Sequence, residues 1–453
     1  MLCSELAHFL GASFVGLEHT ITGFSIDTRT LQPGNVFVAI KGATVDGVQF
    51  IPDAIAKGAV AIISHTAVHT SIPCWQVDNP TQTLQAFAAY WRAKFTLPVI
   101  AITGSCGKTS TKTWLARLLG SYGAVLATPG NYNNELGLPL SLLQLRPEHQ
   151  YAVLEMGAAR SGDIQHLMGL AKPTIGMITT VGAAHLADFG SLETIAATKG
   201  EIYTGLGPNG VGIVPVDVAS EFITLWDSFL GDRKKVTFGL QTNAVISAHE
   251  VVYGDQDTRG ILVTPQGEYP FVLSVPGQHA LQNILGVLAV IYALGLDLAQ
   301  CIPLLAELQN FTGRGQQYPL ENGGLLIDDS YNANPLSVHA AIDTLSRYSG
   351  ERILVLGDML ALGEASERLH LEVGQYAKTQ KIQQLWGFGT FTPYAIEAFG
   401  AGGVHFTDKT ALVKQLKSEL HSKKVIVLIK GSRMMRMEDI KIALLGTLSQ
   451  EQH

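Results

Sequence analysis

Ala101-Ile-Thr-Gly-Ser-Cys-Gly-Lys-Thr-Ser110 is the stretch on which the fold of this chain turns. The apolar run at 97–102 predicts a buried strand, and the segment 111–119 that follows predicts a helix. A glycine-rich turn between a strand and a helix start is a phosphate cradle, because backbone N–H groups of the turn point at phosphate oxygens. Lys108 adds a positive charge, and the Thr109 hydroxyl is suited to Mg²⁺. The full P-loop pattern has glycine six positions before the lysine, where Ile102 stands here, so the motif is the shorter Gly104-Ser-Cys-Gly-Lys-Thr109. Gly104, Ser105, Cys106, Gly107, Lys108, Thr109 and Ser110 are therefore the expected nucleotide-binding turn. An ordinary strand-to-helix turn would need neither Lys108 nor Thr109.

At 453 residues, and at ~150 residues per domain, the chain has room for about three domains. Its 47% apolar content supplies packed cores, and its 47 glycines, spread along the chain, suit many tight turns. A net charge of −7 with no basic run argues against a nucleic-acid partner, which needs clustered Lys and Arg. Cys3, Cys74, Cys106 and Cys301 are scattered, with neither Cys-x-x-Cys nor metal spacing. That pattern fits a reducing compartment and no disulfide framework. Cys106 reads as a small loop residue rather than a nucleophile. The first residues lack a basic segment ahead of an apolar one, and no uncharged run reaches the ~18 residues that suggest a membrane span. A soluble, cytoplasmic, monomeric protein without membrane insertion is expected.

Three units can be drawn along the chain. Residues 1–97 carry predicted strands at 36–40 and 60–63 and helices at 50–57 and 84–95, with Pro98 as a boundary. Residues 98–312 carry strands at 99–102, 151–156, 175–180 and 211–214, with helical patterns between the first three. That alternation predicts a doubly wound parallel sheet. Segment 246–275 is richer in β-structure, and 280–292 reads as a buried helix. Residues 313–453 open near Gly313-Arg314 and carry strands at 325–327, 353–356, 384–387 and 425–429. Asn334-Pro335 fits a helix N-cap followed by proline at the first helical position. The expected fold class is α/β in three domains: a small α/β domain, a central P-loop domain and a C-terminal Rossmann-like domain. Ligands of open α/β sheets sit at the carboxyl ends of the strands, and the remaining candidate residues fall there.

Glu155 ends the strand before Met156-Gly157. A lone carboxylate there is often a capping group, but behind a phosphate loop in the same sheet it is a candidate Mg²⁺ ligand. His185, in Gly182-Ala-Ala-His185, follows the next strand. Lys199, in Ala197-Thr-Lys-Gly-Glu201, lies just downstream. Read in isolation, these two are a structural histidine and a surface lysine. Asp328-Asp-Ser-Tyr-Asn-Ala-Asn-Pro335 crowds two carboxylates, a phenol and two amides behind an apolar strand, which is costly without a ligand or internal partners. Gly357-Asp-Met359 and Lys430-Gly-Ser-Arg433 are weaker signals, since loops commonly carry such residues.

Over essentially its whole length the chain resembles the Mur ligases. The resemblance is carried by Ser25-Ile-Asp-Thr-Arg29 with Pro33-Gly-Asn-Val-Phe-Val-Ala-Ile40, and by the phosphate loop. It continues in Gly130-Asn-Tyr-Asn-Asn-Glu-Leu-Gly-Leu-Pro139 and Glu155-Met-Gly157. His185 with Phe189-Gly-Ser-Leu-Glu193, Lys199-Gly-Glu201 and the 328–335 cluster complete it. The Asn-rich stretch and Tyr331-Asn-Ala-Asn-Pro335 resemble the members that add D-alanyl-D-alanine to UDP-N-acetylmuramoyl-tripeptide. The Asp-Asn-Pro-Arg sequence typical of the tripeptide-forming relatives is absent.

The resemblance implies ATP and Mg²⁺ as cofactors, and UDP-N-acetylmuramoyl-tripeptide and D-alanyl-D-alanine as substrates. It implies that Lys108, Glu155, His185 and Lys199 serve catalysis. Thr109, Glu155, His185 and a carbamylated Lys199 would hold metal. Asn283 would contact adenine, Arg314 the ATP phosphates and Asp329 the ribose. Ser25, Asp27, Arg29, Lys41 and Asp46 would line a UDP pocket. Asn131, Asn134 and Arg160 would contact the muramoyl peptide, and Asn332 and Asn334 the dipeptide. Three positions depart from the family pattern: Ser110 in place of threonine, Arg160 within an altered 158–163 segment, and Ala280 in place of asparagine. The competing readings are a relative that adds a single amino acid, a folate polyglutamylase, and a nucleotide-gated switch.

Overall fold

The computed structural model describes residues 1–14, 18–320, 323–422 and 424–448. Val99–Thr103 is buried at every position and lies inside a six-stranded, all-parallel sheet. The order across that sheet is Lys234–Phe238, Val211–Pro215, Ile175–Ile178, Val99–Thr103, Tyr151–Glu155 and Val125–Ala127. Continuous Val and Ile runs suit strands covered on both faces. After Val99–Thr103 the chain fills one side of the sheet and then crosses to the other. The phosphate loop and the Glu155 turn therefore flank the point where strand order reverses, the usual place for a ligand. Helices Lys108–Leu119 and Gln278–Ala293 pack against each other on one face. Ser247–Tyr253, Thr258–Thr264 and Gly267–Leu273 form an antiparallel three-stranded sheet, in the segment read as β-rich.

The first unit has a parallel sheet ordered Gly23–Ser25, Asn35–Ala39, Ala61–Ser64 and Cys74–Gln76. Its last helix runs Pro80–Arg92 rather than 84–95. Asn79 accepts from Gln82 N and Pro80 occupies the first turn, a start signal that was present in the sequence. This helix joins the first unit to the second. Leu84, Phe87 and Trp91 share one buried core with Leu138, Leu142 and Leu167 of the central unit. Trp91 Nε1 donates to Leu145 O at 3.1 Å, and buried Arg92 donates to Ala171 O at 2.9 Å. Sequence periodicity sees a change of sheet near residue 97, while the packing is continuous across it. Trp91→Ala is expected to cost about 3–5 kcal/mol, the usual range for emptying a buried Trp site. Calorimetry should show the first two units melting together at a lower temperature; separate melting of 1–97 would contradict the shared core.

The third sheet is ordered Gln316–Pro319, Leu325–Asp329, Val425–Lys430, Glu351–Gly357, Gln384–Phe388 and Gly403–Phe406, parallel except for the first strand. The strands that sequence reading missed in the two larger sheets are the edges: Val125–Ala127, Lys234–Phe238, Gln316–Pro319 and Gly403–Phe406. Edge strands need only one buried face and tolerate charge, as Lys234 and Lys235 illustrate. Asn334 caps helix Pro335–Ser346 in a full capping box with Ser337, as its sequence predicts. No helix among the described residues is long and apolar enough to cross a membrane.

Candidate active site

A cleft of ≈ 1610 Å³ opens between the carboxyl edges of the central and third sheets. Its floor is the phosphate loop. Gly104 has φ +144°, and a Cβ there would sit 2.0 Å from Thr179 Oγ1. Gly107 has φ +79°, and a Cβ there would sit 2.4 Å from Asn283 Oδ1. Both glycines are therefore required by backbone conformation and by space. Gly107 begins helix Lys108–Leu119 without a side-chain cap, leaving the first N–H groups facing the cleft. Thr179 Oγ1 donates to Cys106 O at 2.5 Å, and Ser105 Oγ donates to Gly182 O at 3.0 Å, bracing the loop. Gly104→Ala should displace this loop at a cost of about 1–3 kcal/mol, weakening ATP binding by about tenfold or more. Calorimetric titration with ATP checks this.

Lys108 Nζ donates to Gly104 O at 2.6 Å, arching back over the loop. Burial in the cleft pulls its pKa below the usual lysine value, against the pull of Glu155. Thr109 Oγ1 donates to Glu155 Oε2 at 2.9 Å, and Arg314 Nη2 donates to Thr109 Oγ1 at 3.1 Å. Arg314 also stacks on Tyr331, with its guanidinium carbon 4.1 Å from the ring centroid. Thus the third unit reaches the phosphate-loop threonine directly. Cys106 Sγ lies 3.2 Å from the Asn334 amide, a second link between the units, and burial raises its thiol pKa. A raised thiol suits a packing residue rather than a nucleophile.

Lys199 is 4% exposed and lies 5.6 Å from the Phe189 ring centroid. Burial, reinforced by the Lys108 cation, lowers its pKa to about 7. His185 takes a left-handed conformation, φ +56°, ahead of Leu186–Phe189. Its place in the cleft wall and the cations of Lys108 and Lys199 hold its pKa below the ordinary value. A neutral imidazole is the form that ligates metals. Among the described residues no cluster of three or more His, Cys, Asp or Glu could hold a metal ion by itself. The residues present do fit a shared Mg²⁺ site. The Thr109 hydroxyl and the Glu155 carboxylate are hard oxygen donors of the kind Mg²⁺ takes, and they meet at 2.9 Å beside the phosphate loop.

The expected peptide and dipeptide residues divide by what their side chains do. Asn131, Asn134, Arg160, Asn332 and Asn334 all line the cleft, as do Ser110, Asn283 and Asp329. Asn134 Oδ1 accepts from Gly137 N at 2.9 Å, bracing the turn that leads into helix Gly137–Leu142, and Asn334 Oδ1 accepts from Ser337 N at 2.9 Å, capping helix Pro335–Ser346. Arg160 is held by Asp163 at 3.2 Å. Asp329 pairs with Lys430 across adjacent strands at 2.5 Å. The crowded carboxylate Asp328 is fully buried, accepting from Ser330, Gly313 N and Lys441. It ties the entry of the third unit together rather than facing a ligand. Asp358 likewise accepts from the N–H groups of Thr390, Phe391 and Thr392.

Ser25, Asp27, Arg29, Lys41 and Asp46 lie apart from this cleft. They sit in the loops at the carboxyl ends of the paired strands Gly23–Ser25 and Asn35–Ala39. There Arg29 grips Asp27 at 2.6 Å, and Asp46 accepts from Val48 N at 3.0 Å. Two residues that contact Glu155, Asn133 at the cleft and Lys112 behind it, were missed in the sequence. Asn133 Nδ2 donates to Glu155 Oε1 at 2.7 Å, and Lys112 lies 3.7 Å from Glu155 Oε2. Lys112 carried a usable signal: it is one helical turn beyond Lys108, on the same side of the helix.

Three family models match successive stretches of the chain. They are the Mur ligase family catalytic domain at 20–89, the Mur ligase middle domain at 102–291 and the Mur ligase glutamate ligase domain at 313–433. The chain belongs to the Mur ligase family. Within it, the chain is similar to the UDP-N-acetylmuramoyl-tripeptide–D-alanyl-D-alanine ligase of Escherichia coli, at 37% identity over 443 residues and 97% of each chain. Among solved structures, MurF from Acinetobacter baumannii superposes with a TM-score of 0.90 at 31% identity, covering 98% of each chain. The MurF ligase of Thermotoga maritima in complex with ADP does so with a TM-score of 0.83, again at 31% identity, covering 95% of this chain and 99% of that one.

Proposed function

We propose that the chain is an ATP- and Mg²⁺-dependent ligase. It joins D-alanyl-D-alanine to UDP-N-acetylmuramoyl-tripeptide in cytoplasmic peptidoglycan precursor synthesis. The observation that carries this reading is the meeting of three loops in one cleft: the uncapped phosphate loop, the Glu155 turn beside Asn131–Asn134 of the Asn-rich stretch, and the Tyr331–Asn334 turn of the third unit. Nearly full-length similarity to ligases of that name supports the substrates.

A carboxylate is a poor acyl donor because oxide would have to leave. ATP removes that obstacle. A carboxylate oxygen of the tripeptide attacks the γ-phosphorus, ADP leaves, and an acyl phosphate forms. The dipeptide amine then attacks the carbonyl carbon, a proton leaves the nitrogen, and the tetrahedral intermediate expels phosphate. The first step brings two anions together, so positioning and charge stabilisation dominate. Lys108 and Arg314 supply fixed cations beside the loop. Bound Mg²⁺ would offset phosphate charge, held by Thr109 and Glu155, with His185 and a carbamylated Lys199 as the second donor pair. No Ser, Cys or His nucleophile is required. Approach of the third unit, through Arg314 and Asn334, would exclude water from the hydrolysable acyl phosphate.

The test uses tripeptide carrying ¹⁸O in its terminal carboxylate. One labelled oxygen should appear in the released phosphate. Phosphate without label would overturn the acyl-phosphate route.

A further inference from the structure

Lys112 stands outside every role assigned so far, yet it is a buried cation on the phosphate-loop helix, with its side chain 5% exposed. Its Nζ donates to Thr128 O at 2.9 Å and to Gly130 O at 2.8 Å, and lies 3.7 Å from Glu155 Oε2. An ammonium has three donors and no acceptor. Here two carbonyl oxygens accept from it and the Glu155 carboxylate lies at ion-pair distance, a set that offsets part of what burying the charge costs. A surface helix lysine would leave its head in water; this one is drawn inward, where only such pairing makes a buried charge tenable.

The partners of Lys112 are themselves connected. Glu155 N donates to Thr128 Oγ1 at 3.0 Å, and Asn133 Nδ2 donates to Glu155 Oε1 at 2.7 Å. Gly157 N donates to Asn133 O at 2.8 Å. Loop 128–134 therefore hangs from the strand Tyr151–Glu155 on one side and from Lys112 on the other. Gly130 turns there with φ +50°. Lys112 is carried by the helix that begins at Lys108, so any shift of the phosphate loop reaches loop 128–134 through one side chain.

We propose that Lys112 is a positioning residue. It locks the Asn131–Asn134 stretch and the Glu155 carboxylate to the phosphate-loop helix, so that the nucleotide-binding and peptide-binding loops keep one spacing. The ligand of the loop, the muramoyl peptide, rests on the ligase reading above; the lock itself does not.

Lys112→Met keeps the stem and removes the donors. Two quantities are read on the full-length chain: calorimetric affinity for UDP-N-acetylmuramoyl-tripeptide without ATP or Mg²⁺, and the Mg²⁺ concentration giving half-maximal turnover. Affinity should weaken about tenfold and the Mg²⁺ requirement should rise about tenfold, the size expected for losing charge-assisted hydrogen bonds. KM for D-alanyl-D-alanine should stay within about twofold, because that ligand is assigned to the third unit. Lys112→Arg, which keeps the charge but not the fit, should fall between. A folded Met variant with wild-type affinity and Mg²⁺ requirement would overturn the proposal, even if kcat fell, since loss of kcat alone marks general damage. If the Met variant does not fold, Lys112→Arg decides, and wild-type values for both quantities would overturn it. Wild-type protein that fails to bind the tripeptide would contradict the ligase reading instead, leaving the Mg²⁺ requirement to judge Lys112.

Discussion

Lys108→Met is expected to lower kcat for amide formation by about 10³-fold while leaving the protein at least as stable as before. The first part follows from where the charge is used. Lys108 arches over the loop to Gly104 O at 2.6 Å, beside the uncapped helix start, where phosphate oxygens would lie. Removing one preorganised donor from a charge-stabilised transition state costs about 10²–10³-fold, and a full cation at a phosphoryl group reaches higher. The second part follows from burial. Burial lowers the pKa of Lys108 below its unfolded value, so the folded state holds this cation at a cost near neutrality. Methionine fills the same stem volume without that cost. Steady-state kinetics beside thermal unfolding separate the two effects. A comparable loss of stability would show that Lys108 braces the loop, and an unchanged kcat would remove it from catalysis.

Lys199 should take up CO₂ as pH rises through about 7, and Lys199→Met should lower activity about 10²-fold. An exposed lysine is almost wholly protonated at neutral pH. With a pKa of about 7, Lys199 is near half neutral there, and the neutral nitrogen can attack CO₂. An N–C bond forms, the nitrogen loses a proton, and the neutral amine becomes a carbamate anion; counted from the ammonium, two protons are released. That anion, in the same cleft as Glu155 and His185, is a hard oxygen donor suited to Mg²⁺. NMR with ¹³C-bicarbonate should show a carbamate signal at pH 8 that is lost below pH 7 and is absent in Lys199→Met. No signal at any pH would leave Lys199 a buried cation. In CO₂-free buffer the linkage has a definite sign. The folded pKa lies below the unfolded value of about 10.4, so the unfolded chain holds more protons between pH 7 and 10.4. Lys199 thus adds stability as pH rises across that window.

The sequence disclosed what is encoded locally. The phosphate loop, the Glu155 strand end and the Asn334-Pro335 cap are each set by neighbours in the chain, and each stands where the sequence places it. Residues whose roles depend on distant partners were misread or missed. Asp328 was part of an apparent ligand cluster, but Gly313, Ser330 and Lys441 consume its oxygens. Helical spacing sets Lys112 one turn beyond Lys108, but its meeting with Asn133 at Glu155 joins separate segments that no single spacing spans. The core shared by Trp91 and Leu138 was hidden for the same reason: it joins segments that periodicity treats separately.

The central claim is the two-substrate ligation, and its most direct test is phosphate release from ATP by purified protein with Mg²⁺, UDP-N-acetylmuramoyl-tripeptide and D-alanyl-D-alanine, each omitted in turn. Phosphate should appear at full rate only when all are present, with a product whose mass exceeds the tripeptide nucleotide by the dipeptide less one water. Release indifferent to the dipeptide, or a product carrying a single added amino acid, would contradict the account.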